Sequence, residues 1–208
     1  MAAYGASVPP SSRRIEPPAS PAESGPAESR TRSVVIRLAL VDDAGSIRQI
    51  YNHEVTSTTA TFDLVPRSLA DQQEWLRLRT GAFAAIVAVD TDTDEVLGFS
   101  ALSAYKERAA YRTSVEDSIY VREDAQGRGV GRVLLTHLLD LADQSGFHSV
   151  FARIEATGAA SLALHERCGF QLVGVEREVG RKFGKWLSVA LMQCLLHERP
   201  AATATANR

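Results

Sequence analysis

Three glycines at alternate positions, Gly127, Gly129 and Gly131, follow an apolar strand-like run and open an amphipathic segment in SIYVREDAQGRGVGRVLLTHLLDLA, Ser118–Ala142. Bare backbone N–H groups at a helix start, with glycines that admit close approach, suit a phosphate or pyrophosphate. Just upstream, Glu116 stands on the polar side of the same strand-like run, where a carboxylate can take a proton. Anion binding beside acid–base chemistry is what these residues offer.

Spacing separates three glycine-loop patterns. The ATPase loop G-x-x-x-x-G-K-[ST] fails, because Gly131 is followed by Arg132 and Val133 and supplies neither lysine nor hydroxyl. The dinucleotide fingerprint G-x-G-x-x-G places Arg132 or Leu134 at its third glycine. Glu155 stands where a ribose partner would, yet the five residues REDAQ separate Val121 from the first glycine, too many for that tight turn. The third pattern is Gln126-x-x-Gly129-x-Gly131 at a strand–loop–helix junction, and it resembles the signature of the GCN5-related N-acetyltransferase superfamily. The competing reading is that the glycines only let the helix pack closely on a sheet.

The resemblance extends over most of residues 34–196. IYNHEVTSTTATFD, AYRTSVEDSIYV, LTHLL, GFHSVFARI, SLALHERCGF and GRKFGKWLSV occur in an order and spacing similar to the phosphinothricin and methionine sulfoximine/sulfone acetyltransferase branch. The resemblance implies an α/β fold with a mixed, strongly twisted sheet flanked by helices and splayed at strands 4 and 5. It further implies acetyl-CoA as cosubstrate, no metal, a small amino-acid-like amine as acceptor, and a homodimer.

Residue by residue, the resemblance assigns Glu116 as general base and His165 as a group that protonates coenzyme A or bonds its sulfur. Ile119, Tyr120 and Val121 would hold pantetheine like another strand, with backbone N–H groups near Tyr120 and Val121 facing the oxyanion. Gln126, Gly127, Arg128, Gly129, Val130, Gly131 and Arg132 would cradle the pyrophosphate, and Gly158 and Ser161 would touch the cofactor from the next helix. Phe62, Arg108, Tyr111 and Lys182 would bind the acceptor, Arg108 through its carboxylate or phosphinate. Two departures stand out: Gly158 replaces a usual asparagine, and Ser188 a usual aspartate. Plainer readings compete at three positions: a solvated Glu116, a merely packed His165 and a solvated Arg108.

These residues need elements to place them. VVIRLAL reads as a strand, and Asp42 or Asp43 can cap a helix that puts Ile47, Ile50 and Tyr51 on one face. Ser68 with Asp71 suggests a capped second helix. AFAAIVAVD and EVLGFSALSAY read as a hairpin across TDTD. In SVEDSIYV, Val115, Ile119 and Val121 share one face and Glu116, Ser118 and Tyr120 the other, with Asp117 away from Glu116. A helix from about Gly129 to Gln144 is expected to stripe Val130, Val133, Leu134, Leu138 and Leu141. SVFARIEA, FQLVGVEREV and KWLSVALMQCLL are further strands, and AASLALHERC a short helix ended by Gly169.

Composition bounds the rest. Of 208 residues, 45% are hydrophobic, which suits one domain, assigned to residues 34–198. Six of eight prolines fall in the first 26 residues, so 1–33 reads as a disordered tail, and 199–208 as a second loose end. The tail lacks the apolar core of a signal peptide, and the longest apolar run, AFAAIVAV, is too short to span a bilayer. A cytoplasmic location follows as the expectation. With net charge −2 and scattered basic residues there is no footprint for nucleic acid. Cys168 and Cys194 lack metal-ligand spacing and read as reduced thiols. Two function classes stay open: an N-acetyltransferase for an amino-acid analogue or another small amine or peptide, and a non-catalytic acyl-CoA-binding sensor.

Overall fold

The computed structural model describes residues 34–79 and 81–199; the expected tails, 1–33 and the stretch beyond Arg199, lie outside the described residues. Arg199 itself is held, its guanidinium 3.0 Å from Asp140.

Strands β1 (Val34–Leu38), β2 (Ala85–Asp90), β3 (Val96–Ala104), β4 (Ser114–Val121), β5 (Ser149–Glu155), β6 (Gln171–Lys182) and β7 (Lys185–Leu195) form one mixed sheet in the order β1-β2-β3-β4-β5-β7-β6. All neighbours are antiparallel except β4 and β5. That exception follows from α3 (Val130–Gln144), which returns the chain from the end of β4 to the start of β5, as a parallel connection requires.

Two helices, α1 (Ala44–Ser57) and α2 (Leu69–Arg77), cover one face. Ile47, Ile50, Tyr51 and Val55 of α1 bury against Val87, Phe99 and Ala101, as the helical period predicts. The capping box at the start of α2 is present, with Asp71 N donating to Ser68 Oγ at 3.1 Å and Ser68 N to Asp71 Oδ2 at 3.1 Å. The cap expected at α1 is not: the Asp43 carboxylate accepts instead from Leu40 N at 2.7 Å and from Arg37. A neighbouring cation competes successfully for a carboxylate that would otherwise serve the helix.

The other face carries α3 and α4 (Ala159–Arg167). Leu134, Leu135, Leu138 and Leu139 of α3 are fully buried with Val130 and Ala142, while Val133 is 44% exposed. The stripe is therefore centred about one residue round from the expected one, because α3 lies on the sheet and also against α4. Truncating any of these leucines to alanine removes roughly 2–5 kcal/mol. Two-residue alternation holds in β4, where Val115 and Asp117 are buried beneath α3 and α4 and Glu116 faces the other way.

Candidate active site

Strands β4 and β5 pair at only three positions, Ser114 with Ser149, Val115 with Val150 and Glu116 with Phe151. Beyond Glu116 the two parallel strands part, so the β4 edge from Asp117 to Val121 has no strand beside it, although β3 pairs it on the other side throughout. The expected splay is present. An open edge with backbone donors and acceptors invites an extended ligand, because such groups need partners when covered. From Glu116 to Val121 the edge runs roughly 16 Å.

At the far end of that edge a 3-10 turn at Glu123–Ala125 leads into the glycine loop. Gly127 and Gly129 adopt positive φ, 73° and 84°, and a Cβ on either would meet nothing within 4 Å. They are needed for the turn, and they leave its surface open. Gly131 differs: a Cβ there would lie 3.2 Å from Leu164, so this glycine lets α3 approach α4. The N–H groups of Val130, Gly131 and Arg132 precede the first intrahelical bond, Val133 N to Gly129 O at 3.1 Å, and the N-cap glycine has no side chain to satisfy them. Exposed Arg128 and Arg132 flank this cradle. Gln126 is exposed, and its amide donates to Val121 O at 3.1 Å, fastening the loop to the strand end. A pyrophosphate fits these residues on charge, access and unpaired donors.

Glu116 occupies the last rung before the strands part. Burial pushes its carboxyl above the usual range; Arg153 on β5 opposes the shift, and Asp117 and Glu176 add to it. Arg153 is itself held by Glu176 of β6. A carboxylate raised in this way is better matched to taking a proton near neutrality than a solvated one.

His165 is not beside Glu116. It lies under the sheet, 2% exposed, with Nε2 3.1 Å from Asp117 Oδ2 and Nδ1 2.7 Å from Ser161 O. Residues 116 and 117 face opposite sides of β4, so the two expected proton-handling groups are separated by the strand itself. Asp117, which strand alternation turns away from Glu116, is 6% exposed and is the imidazole's partner. No local spacing signals a pair 48 residues apart. Gly158 begins α4 at its N-cap, and a Cβ there would come within 3.0 Å of Glu155 O.

The expected acceptor residues fall into two groups. Arg108 and Tyr111 share a short 3-10 turn, Tyr111 N donating to Arg108 O at 2.9 Å, and line a cavity of about 490 Å³ with Lys106 and Glu107. Tyr111 meets Tyr105 edge-on, and Tyr105 stacks on Phe151 with centroids 3.9 Å apart. Since Phe151 is the strand partner of Glu116, these rings join the cavity to the carboxylate. Tyr105 and Phe151 were not expected; alternation along β5 places Phe151 on the Glu116 face once the register is known.

Phe62 belongs to the loop that follows α1, and Lys182, the last residue of β6, reaches that loop. Phe62 rests against Gly180 of β6, close enough that a Cβ there would sit 2.2 Å from its ring. Lys182 does not present its ammonium to a cavity: it is 3% exposed and donates to Thr61 O at 2.7 Å and Glu54 O at 3.1 Å. Burial pulls its pKa down, against the charges of Asp63 and Glu54. Asn52 pins the same loop to α1 through both backbone groups of Arg67, at 2.8 and 2.9 Å. Phe62 thus stands on a braced loop, with Lys182 among the braces.

An open strand edge, a helix-start cradle and a raised carboxylate at the parting of parallel strands define an N-acetyltransferase. Residues 47–170 match the acetyltransferase (GNAT) family model, and the chain belongs to that family. It is 38% identical to a phosphinothricin N-acetyltransferase of Streptomyces coelicolor, over 82% of this chain and 98% of that one. It is 39% identical to an L-methionine sulfoximine/L-methionine sulfone acetyltransferase of Pseudomonas paraeruginosa, over 77% and 94%. A crystal structure of a phosphinothricin acetyltransferase from Sinorhizobium meliloti in complex with AcCoA superposes with a TM-score of 0.75 at 35% identity, over 84% and 93%. The chain is thus a GNAT acetyltransferase close to the phosphinothricin and methionine sulfoximine enzymes.

Proposed function

We propose that the protein acetylates the α-amine of a small L-amino-acid analogue such as phosphinothricin, methionine sulfoximine or methionine sulfone, using acetyl-CoA. The observation that carries the reading is Glu116: a half-buried carboxylate, raised by its surroundings, at the point where β4 and β5 part. Acetyl-CoA supplies an activated thioester. The β4 edge at Ile119, Tyr120 and Val121 pairs the pantetheine arm, and the cradle from Gln126 to Arg132 takes the pyrophosphate. Gly158 and Ser161 flank it from α4.

An amine reaches the site as an ammonium ion, and Glu116 removes a proton, directly or through one water, so that nitrogen can attack the thioester carbon. The N–C bond forms as the C–S bond breaks, and backbone N–H groups near Tyr120 and Val121 stabilise the oxygen that gains charge between. Coenzyme A leaves as a thiolate, whose conjugate thiol ionises near pH 8.5, so it needs little help, and the second proton of the acylated nitrogen passes to that thiolate or to solvent. Arg108 pairs with the acceptor's anionic group and Tyr111 donates to it, while Phe62, held by Gly180 and by the loop that Lys182 braces, walls the pocket. The exposed apolar side chains of β6, Leu172, Val173, Val175 and Val179, support a homodimer contact. Among the described residues no helix is long and apolar enough to cross a membrane, and with two free thiols a cytoplasmic setting is the compartment we assign.

Thiol release from acetyl-CoA tests the reading, with the three analogues and an aminoglycoside offered to wild type and Glu116→Gln. Turnover with an analogue, reduced ~10²–10⁴-fold in the variant while coenzyme A still binds, is the expected outcome. Binding of coenzyme A with no turnover on any amine would replace it with the sensor reading.

A further inference from the structure

Two buried ionisable side chains, Asp117 and His165, have no part in the steps above. A carbonyl oxygen carries no proton, so the imidazole must donate at Nδ1 to Ser161 O, 2.7 Å away. Its Nε2 meets a carboxylate oxygen at 3.1 Å. An imidazole that donates at one nitrogen and faces a carboxylate at the other is held as an imidazolium–carboxylate pair. Burial alone would push its pKa down, but the Asp117 bond and charge, with the Ser161 carbonyl, turn the shift upward. Neither nitrogen is then free to meet a departing thiolate.

The placement says what the pair does. Asp117 directly follows Glu116 and lies at the first position of β4 beyond its last rung with β5. His165 sits in α4, and Ser161, whose carbonyl it also holds, is in that helix's first turn, three residues after the Gly158 N-cap. One imidazole therefore joins the strand at the start of the opening to the helix that follows β5. Phe170 edges onto the ring at 4.9 Å, which fixes its plane. The second carboxylate oxygen, Oδ1, is buried without a partner, so the pair is costly as packing and specific as a spacer.

We propose that Asp117 and His165 are positioning residues: their buried pair fixes α4 against β4, and so sets the width of the open edge, the placement of Glu116 and the turn at Gly158–Ser161. This rests on the reading that the edge binds coenzyme A. His165 acts through β4 and α4 and transfers no proton to the leaving group.

Calorimetry with coenzyme A, the product thiol, separates the roles, because no chemistry occurs in that measurement. Wild type, Asp117→Asn, His165→Gln and the double variant are compared for coenzyme A Kd, kcat and thermal midpoint. The expected result is a Kd raised about tenfold or more in each single variant, with the double variant no weaker than the worse single, since both remove one coupled contact. A proton-donor role predicts the reverse for His165→Gln, a lower kcat with Kd unchanged, and that result overturns the proposal. A lower midpoint with unchanged Kd in folded variants also overturns it, since the pair would then be structural only. Should a variant not fold, nitrogen-15 NMR of the wild-type His165 ring followed across pH decides: two N–H groups that persist above the usual imidazole range support the pair, and loss of one at or below that range refutes it. Failure of wild type to bind coenzyme A is a separate outcome, which sinks the acetyl-CoA reading.

Discussion

Replacing Gly180 by alanine adds a single methyl group to β6, at a position where the backbone tolerates any residue, since Gly180 is not among the positive-φ glycines. The new Cβ would lie 2.2 and 2.4 Å from two Phe62 ring carbons, where ordinary contact begins near 3.4 Å. The ring must retreat about 1.2 Å. Phe62 is 37% exposed, so it can move without disturbing the core, and the stability cost falls at the low end of the ~1–3 kcal/mol for overpacking. That corresponds to a Tm lower by roughly 2–4 °C. A displacement near 1 Å at a positioning contact can cost ~10²-fold, so kcat/KM for the acceptor should fall about 10- to 100-fold. Coenzyme A Kd should stay within twofold, because the cradle lies on other elements. Steady-state thiol release against acceptor concentration, with calorimetry for coenzyme A, reads both. Adding Phe62→Leu to Gly180→Ala should recover part of the loss. Acceptor kinetics unchanged in a folded Gly180→Ala protein would show that Phe62 does not wall the pocket.

Other perturbations test other parts of the site. Arg153 opposes the upward shift of Glu116, so Arg153→Met should move the acid limb of the kcat/KM–pH profile to higher pH, activity appearing only as the raised carboxyl ionises; a shift to lower pH would remove Glu116 from that limb. Gly129→Ala forces a side chain onto φ 84° and should cost about 1–2 kcal/mol in thermal unfolding while raising coenzyme A Kd; an unchanged Kd would detach the glycine loop from phosphate binding. Gly158→Asn restores a side chain facing the cofactor turn and should lower coenzyme A Kd, less than an amide contact alone would, because its Cβ crowds Glu155 O at 3.0 Å. An unchanged Kd would show that the missing amide does not limit binding.

The parts legible in the sequence were those decided by near neighbours. The α2 cap, the β2–β3 hairpin and the glycine turn each rest on residues a few positions apart, and all are present. The β4 alternation placed Glu116 on its correct face, but the same alternation made Asp117 look idle, because its partner is fixed only when α4 folds beneath the sheet. Lys182 reads as a pocket cation until the loop after α1 crosses it and supplies two carbonyls. The strand expected in FQLVGVEREV runs on to Lys182, past a bulge where Glu178 takes φ 52° and its N–H bonds Ser188 Oγ at 3.0 Å. An irregular register of that kind leaves no period to read. Ser188 thus anchors the bulge, and its carbonyl accepts from Ala156 N at 2.9 Å, two residues before Gly158.

The three-rung seam between β4 and β5 makes this a sheet that folds one strand short. Amides along residues 117–121 that face the seam should exchange with solvent well before those of the β3 and β7 residues that are paired on both sides. A ligand that completes the ladder becomes part of the fold's own hydrogen-bond inventory, and at a hundred times its Kd adds about 2.7 kcal/mol to the unfolding free energy. The thermal midpoint would then gauge the supply of such a ligand, and resistance to heat or proteolysis would rise with the logarithm of its concentration.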